Sequence, residues 1–378
     1  MVTTLCMMEA SSMAGCVILL ILGILLVVKG GDWFVDAASW IAEVSGIPTF
    51  IIGATIVSVA TTLPEILVSS LSAAQGSAGL AIGNAVGSVN CNIALIMAIS
   101  LLFIPATFKR KDYLAKMVLL LVAIATLWTV SAISNSVTWW EGLIVLAIFA
   151  AFMVENILSA KKHSKDLIPA VETEQSAENG ATAQKIFGVL GYYEEKQSAK
   201  RITLKKSGMV IERKDIFKNI VLFILGAGSI FVGAQLMSDN GAQFASMLGM
   251  SEDLIGVTIL AVGTSLPELV TTITAIAKKK SDLSVGNVIG ANIIDITLIL
   301  PLCAFITAGK YGANVPLPVS GQSLVLDFTF CLAVAAVAVI PALIMGKFKR
   351  WQGALLLAGY VTYITLLILN TTGTIAIF

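Results

Sequence analysis

Residues 53–98 read GATIVSVATTLPEILVSSLSAAQGSAGLAIGNAVGSVNCNIALIMA, and 203 positions later residues 256–301 read GVTILAVGTSLPELVTTITAIAKKKSDLSVGNVIGANIIDITLILP. Aligned without a gap, 16 of the 46 positions are identical, among them Pro64/Pro267, Glu65/Glu268, Asn84/Asn287 and Gly87/Gly290. Both copies lie in apolar stretches of membrane length, where an ionisable side chain is expensive and is by default a functional-site hypothesis. The duplicated segment is therefore where function is sought.

Working outward, 57% of the 378 residues are hydrophobic and 12% charged, far from the roughly 25% charged residues of soluble domains. The chain reads as an all-α polytopic membrane protein. Apolar runs of about 20 residues or more, enough to cross a hydrocarbon core as helix, fall near 14–40, 49–74, 79–104, 115–133, 139–159, 217–245, 252–277, 281–307, 322–345 and 351–372. That predicts ten transmembrane helices. Of the 24 Lys and Arg, 22 fall within 109–116, 161–218, 278–280 and 347–350, leaving Lys29 and Lys310. The positive-inside rule places those four clusters in the cytoplasm and both termini outside. The first apolar run lacks a basic flank and follows Glu9, so it is expected to be a membrane helix after a short external tail rather than a cleaved signal. Five scattered cysteines with no CxxC spacing make neither a disulfide framework nor a zinc site.

Two halves of five spans each, an odd number, must enter the membrane in opposite orientations. The charges agree: Gln75-Gly76-Ser77 aligns with Lys278-Lys279-Lys280, so equivalent connectors carry opposite signatures, as inverted-topology repeats require. The offset also pairs Gly30 with Gly233, Asp36 with Asp239 and Gly46 with Gly249, and Trp140-Glu141-Gly142 matches Trp351-Gln352-Gly353 at a slightly larger offset. The expected organisation is a first five-helix half at 1–159, a cytoplasmic loop at 160–216 and a second five-helix half at 217–378. The loop begins with a polar composition typical of disorder. It reads as a solvated linker, with a short interfacial helix around Phe187–Tyr193 as the alternative. It lacks the Asp/Gly pattern of a calcium-binding loop.

The chemistry centres on Thr61-Thr62-Leu63-Pro64-Glu65 and Thr264-Ser265-Leu266-Pro267-Glu268. Proline removes one helical hydrogen bond and clashes with the carbonyl four residues earlier, so the backbone is expected to open around Ala60–Leu63 and Gly263–Leu266. Each glutamate then stands in the first turn of a half-helix, where the dipole favours a carboxylate. Asn84, Ser88 and Asn92, at four-residue spacing, share one helix face; the second copy offers Asn287, Ala291 and Asp295. If the repeats close on each other near the midplane, they form a pocket with three carboxylates (Glu65, Glu268, Asp295), amides, hydroxyls and freed carbonyls. Such an all-oxygen inventory, with His163 far away in the polar loop, suits a hard cation. Ser58, one turn before Thr62, lies opposite Ala261 and supplies an oxygen that the other half lacks. Blander readings remain: protonated structural glutamates, glycines serving only packing, and a local Lys29–Asp32 pair.

The motif pairs TTLPE…GNAVGSVNCN and GTSLPE…GNVIGAN resemble the α-repeats of the cation/calcium exchanger superfamily, and the layout looks most like its prokaryotic sodium/calcium exchangers. The resemblance implies that Glu65 and Glu268 bind calcium with oxygens of Thr61, Thr62, Thr264 and Ser265, and that Ser88, Asn92 and Asp295 complete sites for sodium or calcium in turn. It departs at Ala291, where serine is common, and at Gly-Ser-Val-Asn, which turns Asn90 toward another face. The expected function is a secondary antiporter in the cell membrane, expelling calcium with the sodium gradient. The ions are its substrates, and no cofactor is expected. The other expected partner is the lipid bilayer; no nucleic acid is implied, and a monomer is compatible. The alternative is a proton- or potassium-coupled calcium antiporter. A channel would need a continuous pore, and no HExxH, GxSxG or Gly-Asp protease-type site suggests an enzyme.

Overall fold

The structure, a computed structural model, describes residues 12–44, 58–103, 110–166, 193–194, 201–204, 210–277 and 281–371. Most apolar runs of membrane length fold as long helices. Eight are long and apolar enough to cross a bilayer among the described residues, and the chain is a multi-pass membrane protein. The segments expected at 49–74 and 252–277 are absent from that set, because each is broken just before its proline. Ser58–Thr61 is followed by Leu63–Gln75, and Ala261–Thr264 by Leu266–Ala277. Residues 49–57 lie outside the described residues.

Two helical stretches form the centre. In the Ala78–Phe103 and Val285–Tyr311 spans, 78% of the most apolar window is buried, against 28–39% in the other six. Those six keep apolar side chains such as Ile18, Leu25, Ile133, Ile224 and Ile344 exposed, as a lipid-facing ring does. Each central stretch is interrupted by a π-helical segment, Asn92–Met97 in one and Asp295–Ile299 in the other. These start at equivalent positions of the two repeats. Among the described residues two more π segments are present, Gly256–Leu260 ahead of the second break and Ser323–Asp327, which opens the Phe328–Met345 helix.

The helices Met13–Val44 and Arg213–Leu248 pack along each other through small residues. A Cβ on Gly23 would stand 2.9 Å from the Gly233 carbonyl, and one on Gly30 2.8 Å from the Gly226 carbonyl. Since 23 pairs with 226 and 30 with 233 at the offset of 203, each contact is the image of the other. Gly142 against Pro301 and Gly353 against Ala98 repeat this reciprocity. Within one chain it is the pattern that a two-fold axis gives an isologous interface.

Connectors that carry no cytoplasmic charge signature gather at one end. Ser136–Val137 pairs antiparallel with Leu317–Pro318, and Val319 N–H donates to the Asn135 carbonyl at 2.8 Å. Ser77 Oγ donates to Glu252 at 3.1 Å, and Tyr311 Oη to the Ala74 carbonyl at 3.0 Å. Gly76 ends its helix at φ 91°, the left-handed conformation that favours glycine. The Lys116–Glu155 pair, 3.9 Å apart, belongs to the opposite ends of its two helices.

In the polar loop, Tyr193–Glu194, Arg201–Leu204 and Val210–Glu212 form a three-stranded antiparallel sheet. Tyr193, considered above as part of an interfacial helix, is thus a strand residue; 187–192 lie outside the described residues. The β-branched alternation of Ile202, Thr203, Val210 and Ile211 suits a pleated surface.

Candidate cation site

The site starts at the two breaks. Neither Pro64 nor Pro267 has an N–H to return to the carbonyl of Ala60 or Gly263, and threonine hydroxyls fold back on the neighbouring turn. Thr62 Oγ1 donates to the Ser58 carbonyl at 2.6 Å, Thr61 Oγ1 to the same oxygen at 3.3 Å, and Thr264 Oγ1 to the Ala261 carbonyl at 3.3 Å. Such back-bonding stabilises backbone that lipid could not. Both prolines lie near the start of the half-helices that carry Glu65 and Glu268.

Side chains then cross from one repeat to the other. Ser265 Oγ donates to Glu65 Oε1 at 3.3 Å, and Thr264 lies beside that carboxyl. Thr61 of the first repeat approaches the Glu268 carboxyl, its hydroxyl donating to the Ser58 carbonyl. Thr264 Oγ1 reaches Asn84 Oδ1 at 3.2 Å and lies 3.4 Å from Ser88 Oγ. Asn84 Nδ2 donates to Ser69 Oγ at 2.9 Å and to the Glu65 carbonyl at 3.4 Å. On the other side, Ser58 Oγ donates to Asn287 through its Oδ1 at 3.2 Å and its carbonyl at 3.3 Å. Here the repeats differ. Ala261 offers no hydroxyl to Asn84, and Thr264 takes that place.

Every sequence-predicted position is buried: Ser58, Thr61, Thr62, Glu65, Asn84, Ser88, Asn92, Ala261, Thr264, Ser265, Glu268, Asn287 and Asp295 are each 2% exposed or less. Ala291, where a hydroxyl is missing, is also buried. Glu65 senses both Glu268 and Asp295 electrostatically, and Asp295 senses Glu268. Even so, among the described residues no three His, Cys, Asp or Glu side chains converge closely enough to hold one metal ion. The three carboxyls expected in one pocket are thus neighbours in the same interior without converging on a single point. Glu65 Oε2, both carboxyl oxygens of Asp295 and both amide atoms of Asn92 make no hydrogen bond. A buried polar atom left so costs about 1–3 kcal/mol, and orphaned oxygens in a dry interior are what a cation answers. The ion pairs found, Lys29–Asp32 at 3.8 Å and Lys116–Glu155, lie elsewhere. The local reading of Lys29 therefore holds.

Two features were missed in the sequence. Ser69, the partner of Asn84, and its equivalent Thr272 are both buried; each stands four residues after its glutamate, a spacing that could have pointed to them. Asn90 turns away from the pocket, as its departure from the usual motif suggests, and donates to the Asp327 carbonyl at 3.3 Å.

The family profile described as sodium/calcium exchanger protein matches residues 16–158 and 218–369, leaving out the polar loop. The chain is 32% identical over 357 residues to the sodium/calcium exchanger MaX1 of Methanosarcina acetivorans, covering 93% of this chain and 97% of that relative. It is 30% identical over 353 residues to the inner membrane protein YrbG of Escherichia coli, covering 92% and 95%. Among solved structures, the sodium-calcium exchanger NCX_Mj soaked with sodium and strontium superposes with a TM-score of 0.60 at 25% identity, covering 94% of this chain and 99% of the other.

Proposed function

Since the chain belongs to the sodium/calcium exchanger family, we propose that it exchanges calcium for sodium across the cell membrane by alternating access to the pocket between its two α-repeats. The observation that carries this reading is the burial of Glu65 and Glu268 at the repeat interface, where Ser265 of the second repeat donates to Glu65 and Thr61 of the first approaches Glu268. Two carboxylates balance the charge of one calcium ion. Hydroxyl, amide and carbonyl oxygens of Thr61, Thr62, Thr264, Ser265, Asn84 and Asn287 fill out the six to eight ligands calcium takes. Asp295, Asn92 and Ser88 stand at the margin and serve sodium ions that occupy the pocket in turn. Sodium and calcium have similar radii and both prefer oxygen, so one pocket holds either set. Repulsion prevents both from staying. Exchange follows when only a neutralised pocket can switch access.

The switch we assign to the Met13–Val44 and Arg213–Leu248 pair, whose glycine-lined contact moves as a unit against the central core. Gly31 rests against Pro267, where a Cβ would stand 3.2 Å from the proline ring, so the pair lies directly on the broken segment. The chain is read as ten spans in two inverted halves, 1–159 and 217–378, with 160–216 cytoplasmic and both termini outside. The reciprocal glycine contacts and the clustering of uncharged connectors at one end support that reading. The decisive experiment is calcium-45 flux in proteoliposomes under sodium, potassium or pH gradients imposed one at a time. Uptake driven by outward sodium alone is expected. Uptake driven only by potassium or protons would replace sodium as the coupling ion.

A further inference from the structure

A second group of buried oxygens lies outside the α-repeat pocket, at the start of the Phe328–Met345 helix. Asp327 is wholly buried at the end of the π segment Ser323–Asp327. A π turn loosens the helix's own hydrogen bonding and is frequent at functional sites. Here two carbonyls of the segment accept from other helices instead. The Leu324 carbonyl takes Trp128 Nε1–H at 3.2 Å, and the Asp327 carbonyl takes Asn90 Nδ2–H at 3.3 Å. Tyr363 Oη, from the Arg350–Thr371 helix, donates to Asp327 Oδ1 at 2.8 Å. Ser323 and Gln322 approach the same carboxyl, yet no donor completes a hydrogen bond to Asp327 Oδ2, and Asn90 Oδ1 is also unbonded. Three helices thus bring together a carboxylate, an amide oxygen and a phenol. Asp327 Oδ2 and Asn90 Oδ1 are unanswered acceptors, and Gln322 Nε2 is an unanswered donor beside the carboxyl.

From this geometry we infer that Asp327, with Asn90 and Tyr363, binds one alkali cation at a site separate from the α-repeat pocket. A single carboxylate sets the charge. The nearest further acid that acts on it, Asp253, is held by Ser320 and Ser323 hydroxyls at 2.8 and 3.0 Å. A divalent ion would remain half-neutralised in an apolar interior, whereas a sodium ion is balanced by Asp327 and accepts oxygen ligands from Asn90. The site also lies within electrostatic range of the transport machinery: Cys331, one helical turn beyond Asp327, senses both Asp327 and Asp295.

The test is equilibrium binding of sodium-22 and calcium-45 to the purified full chain. Asp327→Asn keeps the shape and removes the charge. It is expected to lose one equivalent of bound sodium while calcium affinity changes less than twofold. An unchanged sodium count in folded Asp327→Asn protein would overturn the site and leave Asp327 as a neutral acid. Should that variant fail to fold, Tyr363→Phe retains the carboxylate and removes one oxygen of the proposed site. Sodium binding weakened threefold or more, with calcium affinity intact, is then expected, and an unchanged or tighter sodium affinity rejects the proposal. This outcome is independent of the Glu65–Glu268 reading, which calcium binding alone decides.

Discussion

Replacing Glu65 or Glu268 with glutamine keeps nearly the same volume and removes one of the two charges that balance calcium. Both side chains are buried to within 1%, so solvent does not compensate. Removing one member of a buried charge pair costs about 3–5 kcal/mol, which is at least about 100-fold in affinity. Stability then separates the two states of the protein. Without calcium, Glu65 is buried near two other carboxyls, and removing its charge is expected to leave melting unchanged or raise it. With calcium at 100 times the wild-type dissociation constant, binding adds about 2.7 kcal/mol to wild type but only about 0.4 kcal/mol to a variant weakened 100-fold. The assay is a thermal melt with and without calcium, run beside calcium-45 uptake in sodium-loaded proteoliposomes. Each single variant is expected to fold, to lose most of the calcium-induced shift and to lose uptake. A full calcium shift with retained uptake in both would refute the two-glutamate pocket.

Three further outcomes are expected. Ala291→Ser restores the hydroxyl equivalent to Ser88 and should tighten sodium more than calcium, since a neutral oxygen matters more to an ion with fewer charged ligands; sodium activation curves of the two proteins decide it, and a shift confined to calcium rejects it. Gly30→Ala would set a Cβ 2.8 Å from the Gly226 carbonyl and 2.9 Å from Ile230 N, forcing two backbones apart at a cost of about 1–3 kcal/mol. Slower uptake with intact calcium binding is expected, while Gly228→Ala, with nothing within 4 Å of its Cβ, should behave as wild type; equal uptake in both removes the proposed moving pair. For topology, single cysteines at Ser77 and Lys279 in a background without the five native ones should label from outside and only after permeabilisation, respectively. Ser77 is chosen because neighbouring Gly76 has φ 91° and its Cβ would meet Tyr311 Oη at 3.0 Å. Labelling of both from outside would make the repeats parallel.

The sequence by itself determined a great deal, because a bilayer permits few solutions. Apolar length specified the long helices, and a 203-residue repeat specified which side chains are equivalent. Proline marked the breaks: they fall at Thr62 and Ser265, inside the windows where the missing N–H placed them. Thirteen site positions read from oxygen chemistry and the family resemblance are all buried, since a polar residue in lipid must find a protein interior. What periodicity could not supply was the meeting of elements distant in the chain. Only the tertiary structure decided that Ser265 reaches Glu65 while Ser58 reaches Asn287, 200 and 229 residues apart. Nor does spacing tell that, among the described residues, no three His, Cys, Asp or Glu side chains converge on one point. The π segments were equally invisible, as nothing in NIALIM or DITLI after the polar Asn92 and Asp295 departs from ordinary helix composition. The same holds for Asp327, Asn90 and Tyr363, which share no motif or repeat. Spacing along a chain encodes which residues share a face; which face meets which is fixed by the packing of whole helices, through glycines at which an added Cβ would stand only 2.7–2.9 Å from the facing backbone.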